Sequence, residues 1–234
     1  MEERAVPGYL PSVYGLHFPN TFPPGPTVRL GPLDPRIVGI GDAAAGLCGG
    51  MALTSRDLWA AGLPAPPGAT PPANGSRRFR ALVHRQVQSL DWLRVPARYA
   101  IIAVRHGPFR RGPAAVPTAT REWPRVRAEV DAGRPCLVEL IRVDGMRPGA
   151  LVQNHQVLAF AYTEDHAGGA LRARLRVYDP NHPDADDVAL ELEVARDDNR
   201  PLAQRVSLRQ TTSEPLLGFF RGPLLDDRPV GAWR

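Results

Sequence analysis

The chain has no lysine: all 29 of its basic residues are arginine, set against 24 acids, for a net charge of +5. The charge is spread along the sequence. Its densest basic stretches, Arg77, Arg78, Arg80 and Arg85, then Arg105, Arg110 and Arg111, carry no aromatic or motif context. They read as solvated faces of a helix and a loop, and nucleic acid is not an expected partner. There are two cysteines, Cys48 and Cys136, which excludes a disulfide framework. No stretch approaches the ~18 apolar residues that crossing a bilayer requires, so no membrane association is expected. The opening segment, Met1 to Ser12, lacks a basic region followed by an apolar run, so it does not read as a secretory signal. The expectation is a soluble, cytoplasmic protein.

What is present is enough apolar material for a core, 43% of 234 residues, together with 26 prolines that stiffen the connections. That length suits one domain. Residues 1–36 hold eight prolines and little periodicity, and read as an arm wrapped over the body through Tyr9, Leu10, Tyr14, Phe18 and Phe22. Residues 37–234 form the domain itself. A helix is expected from Cys48 to about Ala61, stopped by Gly62. A second carries Phe79, Leu82, Val83, Val87, Leu90 and Leu93 on one stripe. Tyr99 to Val104 reads as a short strand, and Thr120 as the cap of a third helix, Arg121 to Ala132, ended by Gly133. Short apolar or alternating strands follow: Pro135–Ile141, His155–Tyr162, Leu171–Tyr178, Val188–Val194, Gln204–Arg209 and Leu217–Phe220. Helices first and an antiparallel sheet second make an α+β fold.

The segment Gly46-Leu-Cys-Gly-Gly-Met51 puts a cysteine after a flexible turn and at the start of a helix. Unpaired N–H groups and the macrodipole favour a thiolate there. Gly46, Gly49 and Gly50 are expected to leave room for a substrate carbonyl, and the Cys48 N–H to face a developing oxyanion. Asn154-His-Gln-Val-Leu opens a strand with a histidine. If the next strand pairs back as a hairpin, its end, Asp179-Pro-Asn181, lies beside His155, so Asp179 or Asn181 can orient the ring.

With Val-Tyr-Asp-Pro-Asn at that strand end, these segments resemble the papain-like cysteine peptidase superfamily. The nearest variety is the bacterial branch that trims bacteriocin leader peptides, along with a further set of bacterial papain-fold proteins. The resemblance covers roughly residues 40–182. It implies a papain-like fold with N-terminal helices packed on a C-terminal sheet, Cys48 as nucleophile, His155 as general base and Asp179 as orienter. A peptide or small acyl substrate is expected, and no cofactor or metal, since no cysteine or histidine cluster has zinc-ligand spacing. The family places a glutamine shortly before the cysteine for the oxyanion hole, where this chain offers only Asp42. Asn20 and Gln86 are the other candidate amides, with Asn181 as an auxiliary. The alternative is a catalytically inactive papain-fold module that binds a peptide in its cleft.

Weaker patterns compete. Gly39, Gly41 and Ala44 resemble a dinucleotide turn, but a helix and a proline-rich loop follow where a βαβ unit is needed. Asp179, Asn181, Asp184, Asp186 and Asp187 lack the central glycine and twelfth-position glutamate of a calcium loop. Cys136 alternates with Val138 and Leu140 as a core thiol. His17, His84, His106, His166 and His182 show no partner in the sequence and are expected at the surface or as caps.

Overall fold

The computed structural model describes residues 2–23, 46–91, 94–106, 114–143, 154–196 and 199–234. Helices dominate the first half and an antiparallel sheet the second, as expected of an α+β chain. The competing dinucleotide-like pattern, Asp42, Arg110 and Arg111 lie outside the described residues.

Residues 2–23 lie along the body. Strand β1 (Arg4–Ala5) pairs with a long central strand, β3 (His155–Asp165), at Tyr162 and Ala161. A single helical turn, α1 (Pro11–Tyr14), follows, with proline in its first turn where a missing N–H costs nothing. Val6, Tyr9, Leu16, Phe18 and Phe22 are buried, whereas Leu10 is exposed.

Helix α2 (Cys48–Ala60) is the central rod. Residues Gly49 to Leu58 are all buried, because sheet and helix cover it from different sides. Met51, Leu53 and Leu58 are each at most 1% exposed, and such burial contributes about 1.5–3 kcal/mol per side chain. Helix α3 (Arg77–Ser89) starts where the Ser76 hydroxyl accepts from the Phe79 N–H at 3.2 Å. It crosses α2 at Gly50, where any Cβ would run into the Leu82 carbonyl. One expectation for this helix fails: Arg85 is not on a solvated face. It is 4% exposed, paired with the buried Asp57 of α2 at 2.6 Å. Asp57 also accepts from the Arg228 N–H, so this ion pair ties the C-terminal segment to both helices.

Helix α4 (Arg94–His106) replaces the strand expected at Tyr99–Val104. The run Tyr-Ala-Ile-Ile-Ala-Val has the β-branched content of a strand. The residues that pack inward, however, are Val95, Tyr99 and Ile102, which meet Phe220 and Ile141 at helical spacing. The next helix also begins before the expected Thr120 cap. A turn at Ala115–Pro117 (α5), a π-helical turn at Thr118–Glu122 and Trp123–Asp131 (α6) follow one another without leaving helical backbone angles. Pro124 lacks the N–H an α-helical ladder needs, and Thr120 bonds back to the Val116 carbonyl rather than capping.

The remaining strands are β2 (Cys136–Ile141), β4 (Leu171–Tyr178), β5 (Ala189–Val194), β6 (Val206–Gln210) and β7 (Gly218–Arg221). The sheet order is β6-β5-β4-β3-β2-β7, every pair antiparallel. Helix α5 packs against both outer strands, so the sheet curls toward closure. The free edge of β7 is blunted by Thr118, whose hydroxyl both donates to and accepts from Phe219 at 2.8 Å. Cys136 is a buried core thiol, pushed up to about 12 by burial. No helix among the described residues is long and apolar enough to cross a membrane.

Candidate active site

Antiparallel pairing brings three segments to one end of the sheet. Leu158 lies opposite Tyr178, so the chain just past β4 runs beside the start of β3. Asp179 is fully buried there, and its Oδ1 stands 2.6 Å from His155 Nε2. Of the two orienters the hairpin allowed, Asp179 touches the ring. Asn181 helps through its backbone, its N–H donating to Asp179 Oδ1 at 2.9 Å. With Nε2 engaged, Nδ1 is the ring nitrogen left to face Cys48, whose sulfur acts on the imidazole electrostatically. His155 is 4% exposed and Cys48 is half-buried.

Burial alone would drive the His155 imidazolium to lose its proton. The Asp179 carboxylate, followed by the Cys48 sulfur, more than offsets that, and the ring is pushed up to about 10. Asp179 also resists its burial. The imidazolium, the Asn181 N–H and the nearby Arg142 guanidinium hold it well below the usual carboxylate range. Its Oδ2 accepts from Gln210 Nε2 at 2.7 Å, with Arg142 at 3.7 Å. Arg142 in turn donates to Gln210 Oε1 at 3.1 Å. Neither Gln210, at the end of β6, nor Arg142, just past β2, carried a sequence signal, since only the folded sheet brings them to Asp179.

Of the three auxiliary amides, Asn20 and Gln86 bind the Cys48 turn directly, and Asn181 reaches it only through Asn20. Asn20 Oδ1 accepts from the Leu47 N–H at 2.6 Å, and its Nδ2 donates to Asn181 Oδ1 at 3.3 Å. Gly46 has φ +91°, and a Cβ there would lie 2.5 Å from Asn20 Nδ2. Only glycine satisfies both constraints. Gln86 Oε1 accepts from the Gly50 N–H at 2.9 Å, a remote cap for a helix whose own N-cap, Leu47, has no side-chain oxygen. Its Nε2 donates to Gln156 Oε1 at 3.2 Å.

The glycines after Cys48 do not clear space for a substrate, as the sequence suggested. The volume beside Gly49 is taken by Gln156 Oε1 and Ser89 Oγ, and that beside Gly50 by the α3 backbone. Ser89 donates to Gln156 Oε1 at 2.9 Å, and Gln156 Nε2 donates to Glu139 Oε1 at 2.7 Å. Glu139 Oε2 accepts from Tyr99 Oη at 3.1 Å. A buried polar chain thus runs from beneath Cys48 to α4. A lone acid in the apolar strand Cys-Leu-Val-Glu-Leu-Ile was the signal for it in the sequence.

Beyond β4, His17 pairs with Asp184 at 2.5 Å and His182 with Glu214 at 2.7 Å. Ser12 holds Asp186 through both N–H and hydroxyl, at 2.8 and 2.7 Å. The acidic loop therefore fastens the arm through Asp184 and Asp186. Among the described residues, no three His, Cys, Asp or Glu side chains come together as a metal site. Compared with known proteins, the chain matches no family model, no curated protein and no solved structure.

Proposed function

We propose that this chain is a papain-like cysteine enzyme acting on an acyl or amide bond, with Cys48, His155 and Asp179 as its triad. The observation that carries the reading is His155 held between two groups, Asp179 at 2.6 Å from Nε2 and the Cys48 sulfur acting on the ring. It combines a nucleophile at a helix N-terminus, a base and an orienter in their customary relation.

In this mechanism the Cys48 thiolate attacks the acyl carbonyl while His155 carries the proton. The carbon–nitrogen or carbon–oxygen bond then breaks, the leaving group takes the proton from the imidazolium, and an acyl thioester remains on Cys48. Water, giving its proton to His155, resolves the thioester to an acid and restores the thiolate–imidazolium pair. An amine in place of water gives acyl transfer. The helix terminus at Cys48 contributes N–H groups for the oxyanion. Asn20 braces the residue before Cys48 through its oxygen, which accepts from the Leu47 N–H.

The test is the rate of iodoacetamide alkylation against pH for the wild type, His155→Ala and Cys136→Ser. Fast reaction below pH 7 that survives in Cys136→Ser and disappears in His155→Ala is the expected result. Slow alkylation with the profile of an ordinary thiol in all three variants overturns the reading.

A second reading, a peptide-binding module on an inactive papain-like scaffold, draws on one observation. The amide donors of both Asn20 and Gln86 are already hydrogen-bonded within the protein. It requires that Cys48→Ala leave biological activity intact.

A further inference from the structure

We propose that Glu139 is a positioning residue of this centre, and that its charge state sets how far into alkaline pH His155 remains an imidazolium. The inference rests on the Cys48–His155–Asp179 reading above and deepens it.

Glu139 is fully buried in the middle of β2, where the register places Gln156 opposite it and sets its neighbour Leu140 opposite His155. Through Gln156 the carboxyl reaches both partners of the reaction. Gln156 follows His155 directly in β3, and its Oε1 fills the space beside Gly49, the residue after Cys48. The same Oε1 collects hydrogen bonds from Ser89 and from Gln86, which caps the Gly50 N–H. A shift of Glu139 therefore moves the Cys48 turn and the start of β3 together.

Tyr99 gives the carboxyl two stable states. Its hydroxyl has two acceptors in reach, Glu139 Oε2 at 3.1 Å and the Leu140 carbonyl at 3.3 Å. When Glu139 is ionised, Tyr99 donates to it. When Glu139 is protonated, its own O–H donates to the tyrosine oxygen and Tyr99 turns to Leu140. Neither state strands a buried donor.

Several charged and titratable groups surround Glu139. From α4 there are Tyr99 and Arg98, although Arg98 is shared with Glu122 at 2.6 Å. From β3 there is His155, and beyond Tyr99 lies Cys48 of α2. Gln156, Gln86 and Ser89 are polar but do not titrate in this range. Phe220 of β7 closes the side facing its register partner. Burial raises the carboxyl most strongly; the Gln156 and Tyr99 hydrogen bonds and the Arg98 and His155 charges pull it back, leaving it near 8. An anion appearing there at mildly alkaline pH favours the imidazolium.

The test is a pH titration of the His155 ring, read by nuclear magnetic resonance of the intact protein labelled at its histidines, together with Cys48 alkylation. Wild type is expected to show a His155 midpoint near 10 and a separate inflection near 8. In Glu139→Gln, which keeps an oxygen acceptor for Gln156, the inflection near 8 vanishes. The His155 midpoint there falls by about one unit. In Tyr99→Phe, a milder change, the inflection near 8 moves upward, because the ionised carboxylate loses a donor. Unchanged His155 titrations in folded Glu139→Gln and Tyr99→Phe overturn the role of Glu139 while leaving the triad intact. A wild-type His155 that titrates as a free imidazole, with no fast alkylation at low pH, removes the triad and with it this inference.

Discussion

Two carboxyls lie near His155, Asp179 against the ring and Glu139 opposite the next residue of β3, and the protein treats them oppositely. Asp179 and Glu139 are both fully buried. Asp179 is held ionised far below the usual range, whereas Glu139 keeps its proton until about pH 8. Desolvation opposes charge at both sites, so the difference lies in what each carboxyl meets. Asp179 receives His155 at 2.6 Å, the Asn181 N–H at 2.9 Å and Gln210 at 2.7 Å, with the Arg142 guanidinium at 3.7 Å. Glu139 receives only a neutral amide at 2.7 Å and a neutral hydroxyl at 3.1 Å, with its charged neighbours at one remove. Burial sets the size of the penalty; the number and charge of the donors decide whether the penalty is met.

Replacing Asp179 by Asn breaks the comparison most severely, because it removes the anion that offsets His155's burial. The low-pH alkylation of Cys48 should fall by about 10- to 1000-fold, one to three units of imidazole basicity expressed as a rate. Undiminished reactivity at pH 6 would show that Asp179 does not hold the imidazolium. On the other side, Gly49→Ala drives a methyl into Gln156 Oε1 and disturbs the amide that serves Glu139. Overpacking of this kind costs about 1–3 kcal/mol, to be measured by urea unfolding. It should also move the Glu139 inflection upward. Gln210→Ala sharpens the comparison by making Asp179 poorer in donors, more like Glu139. Since Arg142 remains close, the loss should be at the lower end of the about 1–3 kcal/mol for an abandoned buried acceptor. The acid limb of the alkylation profile should shift toward neutrality. A variant with unchanged stability and profile would mean that Gln210 is dispensable to Asp179.

The Asp179 side of this site was legible in the sequence and the Glu139 side largely was not. Cys48, His155 and Asp179 each sit at the end of an element, and a hairpin joins β3 to β4, so local pairing was enough to bring two of them together. The donors that distinguish the carboxyls come from elsewhere: Gln210 from β6, Arg142 from beyond β2, and Tyr99 from a segment whose β-branched run suggested a strand. Tertiary packing decided that segment, because Val95, Tyr99 and Ile102 meet Phe220 only on a helix. The glycine motif marks the turn, but long-range packing is what puts Gln156 and the α3 backbone in the space beside Gly49 and Gly50. Most strands stood within a residue or two of their expected bounds, since short apolar or alternating runs between turn residues mark strands.

The gentlest way to test the comparison is the pH dependence of stability. Glu139 rises from an ordinary 4.5 to about 8 on folding, so between these values the native state holds a proton that the unfolded chain has released. Stability from this group is therefore lost as pH rises through that window. His155, raised from 6.5 to about 10, acts in the same direction over a higher range: its contribution is complete below 6.5 and gone above 10. Asp179, depressed instead, gives stability that is present above the ordinary carboxylate range and lost only in strong acid. Wild type should thus melt at progressively lower temperature from pH 5 to pH 10. Glu139→Gln removes the first of these slopes and makes the second end at a lower pH, because the His155 midpoint falls with it. Whatever the substitution costs at pH 5 through altered packing, its melting temperature relative to wild type should improve steadily up to pH 8.5. An equal difference at both pH values would mean that Glu139 titrates as an ordinary glutamate despite its burial, and the contrast with Asp179 would disappear.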